Sequence, residues 1–119
     1  MNSFEETKHR LQTFCAERDW DQFHSPKNLA MALSVEVAEL LEHFQWLTQA
    51  QSAALPADKL AAVAQEVADI QIFLVRLADK LGIDLDAAVA AKLAVNEQKY
   101  PVDKARGNAL KYTEFDDGE

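Results

Sequence analysis

Apolar side chains recur every three or four residues along most of this 119-residue chain, which is the period of an amphipathic helix. One apolar stripe predicts a helix from Pro26 to about Thr48, and a second predicts a helix from Pro56 to Leu81. The stripes consist of Leu29, Leu33, Leu40, Phe44 and Leu47, and of Val63, Val67, Ile70, Leu74, Leu77 and Leu81. We expect both stripes to face a common core.

Start and stop signals support these two helices and indicate two more. Ser25 followed by proline is a typical helix start, and Gly82 is a typical C-terminal stop. A further helix is predicted over about residues 3–18, and a fourth over about 84–100, where Pro101 ends it.

Helices with short connections favour an all-α fold, a four-helix antiparallel bundle. Only 3 glycines and 3 prolines interrupt the chain, so one helical domain over residues 1–106 is expected. Residues 107–119 are acidic and lack a clear period, which predicts an extended or partly disordered tail.

Composition limits the classes of function. The formal charge of −8 disfavours a nucleic-acid-binding face, and no apolar run approaches the roughly 20 residues of a membrane span. Cys15 is the single cysteine and lies among apolar residues, so we expect a buried structural thiol. These features favour a cytoplasmic protein.

Four carboxylates occupy the apolar side of the two central helices. Glu36 and Glu66 lie within the stripes, and Glu39 and Asp69 follow three residues later at their edges. Each pair therefore shares one helix face, one turn apart. Facing carboxylates repel unless cations compensate them, and no Lys or Arg lies one turn from any of the four.

The composition of this acidic set indicates the metal. Hard cations such as Mg²⁺ prefer oxygen ligands and also accept phosphate oxygens. A di-iron bundle would need a Glu-x-x-His motif, which neither helix contains, and zinc is disfavoured by one Cys and 3 scattered His. The alternative is that these four carboxylates are solvated and bind no metal.

Helix four carries Lys92, Asn96 and Tyr100 at four-residue steps. They offer a phosphate-binding charge, an amide, and a ring with a hydroxyl, although an amphipathic helix with a polar border would look the same.

Two tryptophans flank the second predicted helix. Trp20 and Trp46 could each stack on a nucleobase or simply seal the end of a bundle. His24, beside the Ser25 cap, fits a loop or capping residue as well as a ligand.

Several segments resemble the MazG-like all-α nucleoside triphosphate pyrophosphohydrolases, and within them the dCTP pyrophosphatase branch. The acidic motifs Glu36-Val-Ala-Glu-Leu40 and Glu66-Val-Ala-Asp-Ile70 carry this resemblance first. It extends to residues 17–24, 44–46, 96–101 and 111–114, and so spans nearly the whole chain.

The resemblance implies magnesium, with manganese as a possible substitute, at Glu36, Glu39, Glu66 and Asp69. It also implies a substrate site formed by Trp20, His24, Asn28 and Trp46 around the base, and by Lys92, Asn96 and Tyr100 around the phosphates and sugar. Homo-oligomers, as dimers or tetramers with sites near subunit interfaces, are implied as well.

The expected reaction is hydrolysis of the α–β phosphoanhydride of a nucleoside triphosphate, dCTP or a modified dCTP, to a monophosphate and pyrophosphate. Glu36 or Glu39 would accept the proton of the attacking water, and Lys92 would offset phosphate charge. The expected role is removal of non-standard or excess deoxycytidine nucleotides. Two alternatives stay open: a non-enzymatic helical module that binds a basic partner, or the same fold acting on dUTP or a phosphoribosyl nucleotide.

Overall fold

Helices form all the regular structure of the part of the chain that the computed structural model describes, residues 3–115. The α-helices are α1 (Ser3–Glu17), α2 (Pro26–Glu42), α3 (Gln49–Ser52), α4 (Ala57–Lys80), α5 (Leu85–Lys99) and α6 (Val102–Ala105). Two short 3₁₀ turns span Asp21–Phe23 and Tyr112–Glu114. The prediction of an all-helical protein is confirmed.

The end of α1 lies within one residue of its prediction. Asp19 adopts a left-handed conformation with φ 55°, and the Trp20 N–H donates to the carbonyl oxygen of Cys15 at 2.9 Å. This is a Schellman ending, which satisfies the last carbonyls of the helix and turns the chain sharply. The position of Trp20 relative to the end of α1 is therefore fixed by this motif.

Helix α2 begins as predicted but ends earlier. The Ser25 hydroxyl accepts a hydrogen bond from the Asn28 N–H at 3.1 Å and caps the helix. The predicted end at Thr48 is wrong, because α2 stops at Glu42. The side chains of Thr48 and Gln51 each accept a hydrogen bond from the other residue's backbone N–H, and this capping box starts the separate helix α3. Residues 43–46, which follow α2, form a turn.

Helix α4 matches its prediction closely. Pro56 stands at its N-cap, and Gly82 follows its C-cap with φ 69°, a conformation that favours glycine. The Ile83 N–H then donates to the carbonyl oxygen of Ala78 at 2.8 Å, a second Schellman ending. Asp84 directly precedes α5, which begins within one residue of the prediction.

The chain divides into two compact units, and the first runs to Asp84. Within it, α1 and α2 both pack against α4. Cys15 is buried, as predicted, together with Leu29, Val63, Val75 and Ala78. A single four-helix bundle and a single domain over residues 1–106 stay predictions, because α5 belongs to the second unit.

The apolar stripe predicted for α4 is partly wrong. Val67, Leu74 and Leu81 are 52%, 38% and 54% exposed. The helix instead buries Val63 and a later segment around Val75. The α2 stripe is buried or half-buried throughout, although its last two residues lie beyond the end of the helix.

The second unit comprises α5, α6 and the turn at Tyr112–Glu114. In the described part of the predicted tail, residues 107–111 form no regular element, and the chain then folds into that turn. The acidic residues at 116, 117 and 119 lie outside the described residues. Helix α6 was not predicted, since Pro101 was interpreted only as a stop.

The part of the chain described here contains no helix that is both long and apolar enough to cross a membrane.

Candidate functional site

The packing of α2 against α4 brings three predicted acids together. Glu36, Glu39 and Glu66 each offer a carboxylate oxygen, and these oxygens lie within 4.8 Å of one another. The i, i+3 spacing on α2 presents two of them from one face, and α4 supplies the third. Three negative groups at this separation form a possible ligand set for a cation with oxygen preference.

Two oxygens of this cluster lack any hydrogen-bond partner. The Oε2 atoms of Glu36 and Glu66 are both buried and unpaired. An uncompensated buried carboxylate oxygen is costly, so such atoms need a cation, a water or a proton. Glu36 and Glu66 are half-buried as residues, which leaves the cluster open on one side.

The electrostatics of Glu36 are strongly perturbed. Burial, which disfavours the charged form, raises the pKa of Glu36 to about 7. A hydrogen bond from its protonated form to Glu66, and then the negative charge of Glu39, raise it further. In the metal-free protein the burial and the neighbouring acids therefore favour the protonated form of Glu36.

Asp69 does not belong to this close set. It is exposed on α4, one turn beyond Glu66, and lies outside the group of oxygens within 4.8 Å. Its negative charge still contributes to the raised pKa of Glu36, so it faces the same region. Its role as a metal ligand stays a prediction.

Aromatic residues gather at the connection between α1 and α2. The ring of Trp20 meets the Phe14 ring edge-on, with centroids 5.5 Å apart, and the His24 ring at 6.2 Å. Trp20 is 42% exposed, so part of its ring is free for a ligand. Asn28 donates to the carbonyl oxygen of Phe23 at 3.0 Å, which ties this connection to α2.

Trp46 lies in the turn that follows α2, not on that helix as predicted. It is 86% exposed. Trp46 is therefore not part of the buried core, and its ring surface is accessible.

The second unit holds the other predicted substrate residues, all on or next to α5. Lys92 is exposed and Asn96 is half-buried. The Tyr100 ring packs edge-on against Tyr112 at 6.1 Å and against Phe115 at 5.6 Å. The residues near the end of the chain therefore hold Tyr100 in place.

Two features were missed by the sequence interpretation. Arg76 is buried on α4 and contacts Asp21 and His24. The sequence feature that could have identified it is a single cation within an apolar segment. A cavity of about 460 Å³ also opens beside α1 and α4, and no sequence pattern marks it. Its walls are formed by Thr7, Arg10, Leu11, Phe14 and Ile72.

Comparisons with known proteins find similar sequences. The chain is 47% identical over 107 residues to dCTP pyrophosphatase 1 of Mus musculus and 44% identical over 108 residues to that of Homo sapiens. Both alignments cover 88% of this chain but only 63% of the relative. The chain thus spans less than two thirds of the length of these relatives.

A solved structure is also similar. A pyrophosphatase from Archaeoglobus fulgidus superposes with a TM-score of 0.78 at 39% sequence identity, covering 85% of this chain and 94% of that one. The profile of the MazG-like family matches residues 31–115, a range that contains all four predicted acids. With most of its length matched, this chain belongs to the MazG-like family.

Proposed function

We propose that this chain is a magnesium-dependent nucleoside triphosphate pyrophosphohydrolase that acts on dCTP or a modified dCTP. The observation that carries the proposal is the carboxylate cluster of Glu36, Glu39 and Glu66, with two buried, unpaired oxygens, in a MazG-like chain. The cytosine preference is supported by its similarity to relatives named dCTP pyrophosphatase 1.

The donor set fits a hard divalent cation. All its atoms are carboxylate oxygens, and the two orphaned Oε2 atoms are the groups that a cation would satisfy. We propose that Glu36, Glu39 and Glu66 hold Mg²⁺, with Asp69 as a further ligand and Mn²⁺ as a possible substitute. The bound cation would neutralise triphosphate charge and polarise the α-phosphate.

The side chains of this protein then direct hydrolysis. A water oxygen bonds to the α-phosphorus while the α–β bridging bond breaks, so that pyrophosphate leaves with the bonding electron pair. Glu36 or Glu39 accepts the water proton, because a carboxylate beside the reacting atoms is a suitable general base. Lys92 would offset the charge that develops on the phosphates.

The remaining predicted residues bind the nucleoside. We propose that Trp20, His24, Asn28 and Trp46 surround the base, which the exposed ring surfaces of both tryptophans support. Asn96 and Tyr100 would contact the sugar and phosphates. Removal of excess or non-standard deoxycytidine nucleotides in the cytoplasm is the corresponding role.

We also propose that the chain works as a homo-oligomer, a dimer or a tetramer. Leu60, Val67, Leu74 and Leu81 are all exposed and follow one another at seven-residue steps along α4 and its C-cap. A repeating apolar stripe of this kind is typical of a helix that packs against another helix.

A panel of nucleoside triphosphates tests the activity. Purified protein with millimolar Mg²⁺ should convert dCTP to dCMP and pyrophosphate faster than it converts dUTP, dTTP, dATP or dGTP. EDTA should abolish turnover, and Mn²⁺ should restore part of it. Release of orthophosphate, or equal activity in EDTA, would contradict the proposal.

A further inference from the structure

Arg76 is a buried charged residue near the C-terminal end of α4. It is 4% exposed and lies next to the buried Val75 and close to the buried Ala78. A buried cation is costly unless polar partners surround it, so its retention calls for a physical explanation. It is not among the residues that form the acidic cluster.

Its guanidinium group reaches three partners. Nε donates to Nδ1 of His24 at 3.2 Å, and Nη2 donates to Oδ1 of Asp21. Nη1 lies 3.7 Å from Oδ2 of Asp79, one turn along α4. A single side chain thus joins α4 to both ends of the short turn that connects α1 and α2.

These contacts determine which nitrogen of His24 carries the proton. The Nε–H of arginine can only donate, so Nδ1 of His24 must offer its lone pair. Cys15 Sγ lies 3.7 Å from the same Nδ1 and supplies a second, weaker donor. Burial, followed by the charges of Arg76 and Lys80, lowers the pKa of His24, so the neutral ring keeps its proton on Nε2.

The ring held in this way lies beside an exposed aromatic surface. His24 meets Trp20 edge-on at 6.2 Å, and Trp20 is the residue proposed to stack on the base. Two further side chains contact the acids that Arg76 binds: Lys80 donates to Asp21 at 3.2 Å, and Gln12 donates to Asp79 at 3.0 Å.

We propose that Arg76 is a positioning residue that fixes His24 as a hydrogen-bond donor at Nε2 toward the pyrimidine of the substrate. This inference rests on the proposed function. Both pyrimidines have an acceptor at O2, but cytosine also accepts at N3, where uracil carries an N–H. A histidine locked as a donor that faces position 3 therefore favours cytosine, since two facing donors leave both unpaired.

The tautomer can be measured without any substrate. Two-bond ¹H–¹⁵N spectra of the imidazoles should show His24 as the pure Nε2–H form in the unmodified protein, with its signal assigned by its loss in His24→Gln. Arg76→Met should mix the two tautomers, while Lys80→Met, which removes the other cation on Asp21, should leave the spectrum unchanged. An unchanged His24 spectrum in Arg76→Met would overturn the positioning role.

Kinetics test the link to substrate. Arg76→Met should raise KM for dCTP about 10-fold, with a smaller change in kcat, and should reduce the preference for dCTP over dUTP. Lys80→Met should keep both values. A merely structural loss would lower activity on both nucleotides equally, so an unchanged preference would overturn the proposed role in specificity.

A second variant covers the case in which Arg76→Met does not fold. Arg76→Lys keeps the charge, but one ammonium group cannot reproduce the planar fork that reaches His24 and Asp21 together. It should still mix the tautomers and weaken the dCTP preference. If the unmodified protein hydrolyses no nucleotide, the proposed function fails, whereas the spectra still decide the contact between Arg76 and His24.

Discussion

At the scale of single residues, the orphaned Oε2 atoms of Glu36 and Glu66 are the most informative feature of the molecule. Helices that pack through apolar contacts have no need of carboxylates at their interface, and these two reduce the stability of the metal-free chain. Their presence is explained if a cation completes the site. The sequence singled out this pair because both residues fall within apolar stripes, where a solvated acid is out of place. The structure brings their carboxylates together, and their role as metal ligands stays a prediction.

Replacing Glu36 tests whether it serves binding at the expense of stability. Glu36→Gln should reduce pyrophosphate release about 100-fold or more, because both a ligand and a candidate base are lost. The same change should raise the melting temperature of the metal-free protein by a few degrees, since the repulsion with Glu39 and Asp69 decreases. Glu42→Gln, an exposed change at the end of α2, should alter neither value. Lower stability with full activity would contradict the assignment.

The raised pKa of Glu36 predicts opposite pH trends with and without metal. Its folded pKa of about 7 exceeds the ordinary value of 4.5, so the folded metal-free protein binds the extra proton. The resulting stabilisation is full below about pH 4.5 and is lost as the pH rises through about 7. Mg²⁺ competes with this proton, so its stabilising effect should grow over the same range.

Melting temperatures measured across this pH range, with EDTA and with millimolar Mg²⁺, check both trends. Glu36→Gln serves as the control, because it removes the titrating group and should flatten the metal-free curve. A Mg²⁺ effect that is equally large at pH 5 and pH 8 would exclude the coupling between proton and metal.

At the scale of helices, the sequence predicted those helix ends that are fixed by interactions within a single turn. Ser25 and Gly82 mark helix ends correctly, since a hydroxyl cap and a left-handed glycine act within one turn. The end of α2 was misjudged because the apolar period continues to Leu47. Thr48 and Gln51 interrupt it with their capping box, a signal present in the sequence but overlooked.

The period of apolar residues also did not identify which face of α4 packs against other helices. Apolar residues occur on more than one side of this helix, so a stripe of Val67, Leu74 and Leu81 fits the helical period yet lies in solvent. Arg76 shows the reverse case, a cation inside the packed segment. Which face is covered depends on neighbouring helices, and this information is not contained in a local pattern.

The aromatic contacts of Tyr100 lead to a prediction about the turn near the end of the chain. Tyr112→Ala should raise KM for dCTP several-fold, because Tyr100 loses an edge-on ring contact and its side chain becomes less ordered. Leu110→Ala, a nearby exposed change, serves as the control. Steady-state kinetics and the melting temperature together separate this effect from unfolding. Unaltered KM in Tyr112→Ala would show that the turn does not position Tyr100.

At the scale of the whole molecule, few apolar side chains of the described residues are fully buried. Only Cys15, Leu29, Val63, Val75 and Ala78 form its buried apolar set among the described residues, whereas many large apolar side chains are exposed. Trp46 alone is 86% exposed. Surfaces of this kind are typical of protomers that assemble, since water contact with such patches is unfavourable.

Charge placed in the seven-residue stripe of α4 should therefore break the proposed oligomer. Leu60→Glu combined with Leu81→Glu introduces repulsion at both ends of the stripe, and light scattering coupled to size-exclusion chromatography should show a shift toward monomer. Ala61→Glu is a control for the change at Leu60, because it adds one negative charge at the neighbouring exposed position, outside the stripe. Since the stripe covers apolar surface only in the assembly, the double variant should also melt at a lower temperature. If the unmodified chain elutes as a monomer at high micromolar concentration, the proposed assembly is wrong. The nucleotide is then the one remaining proposed partner of Trp46.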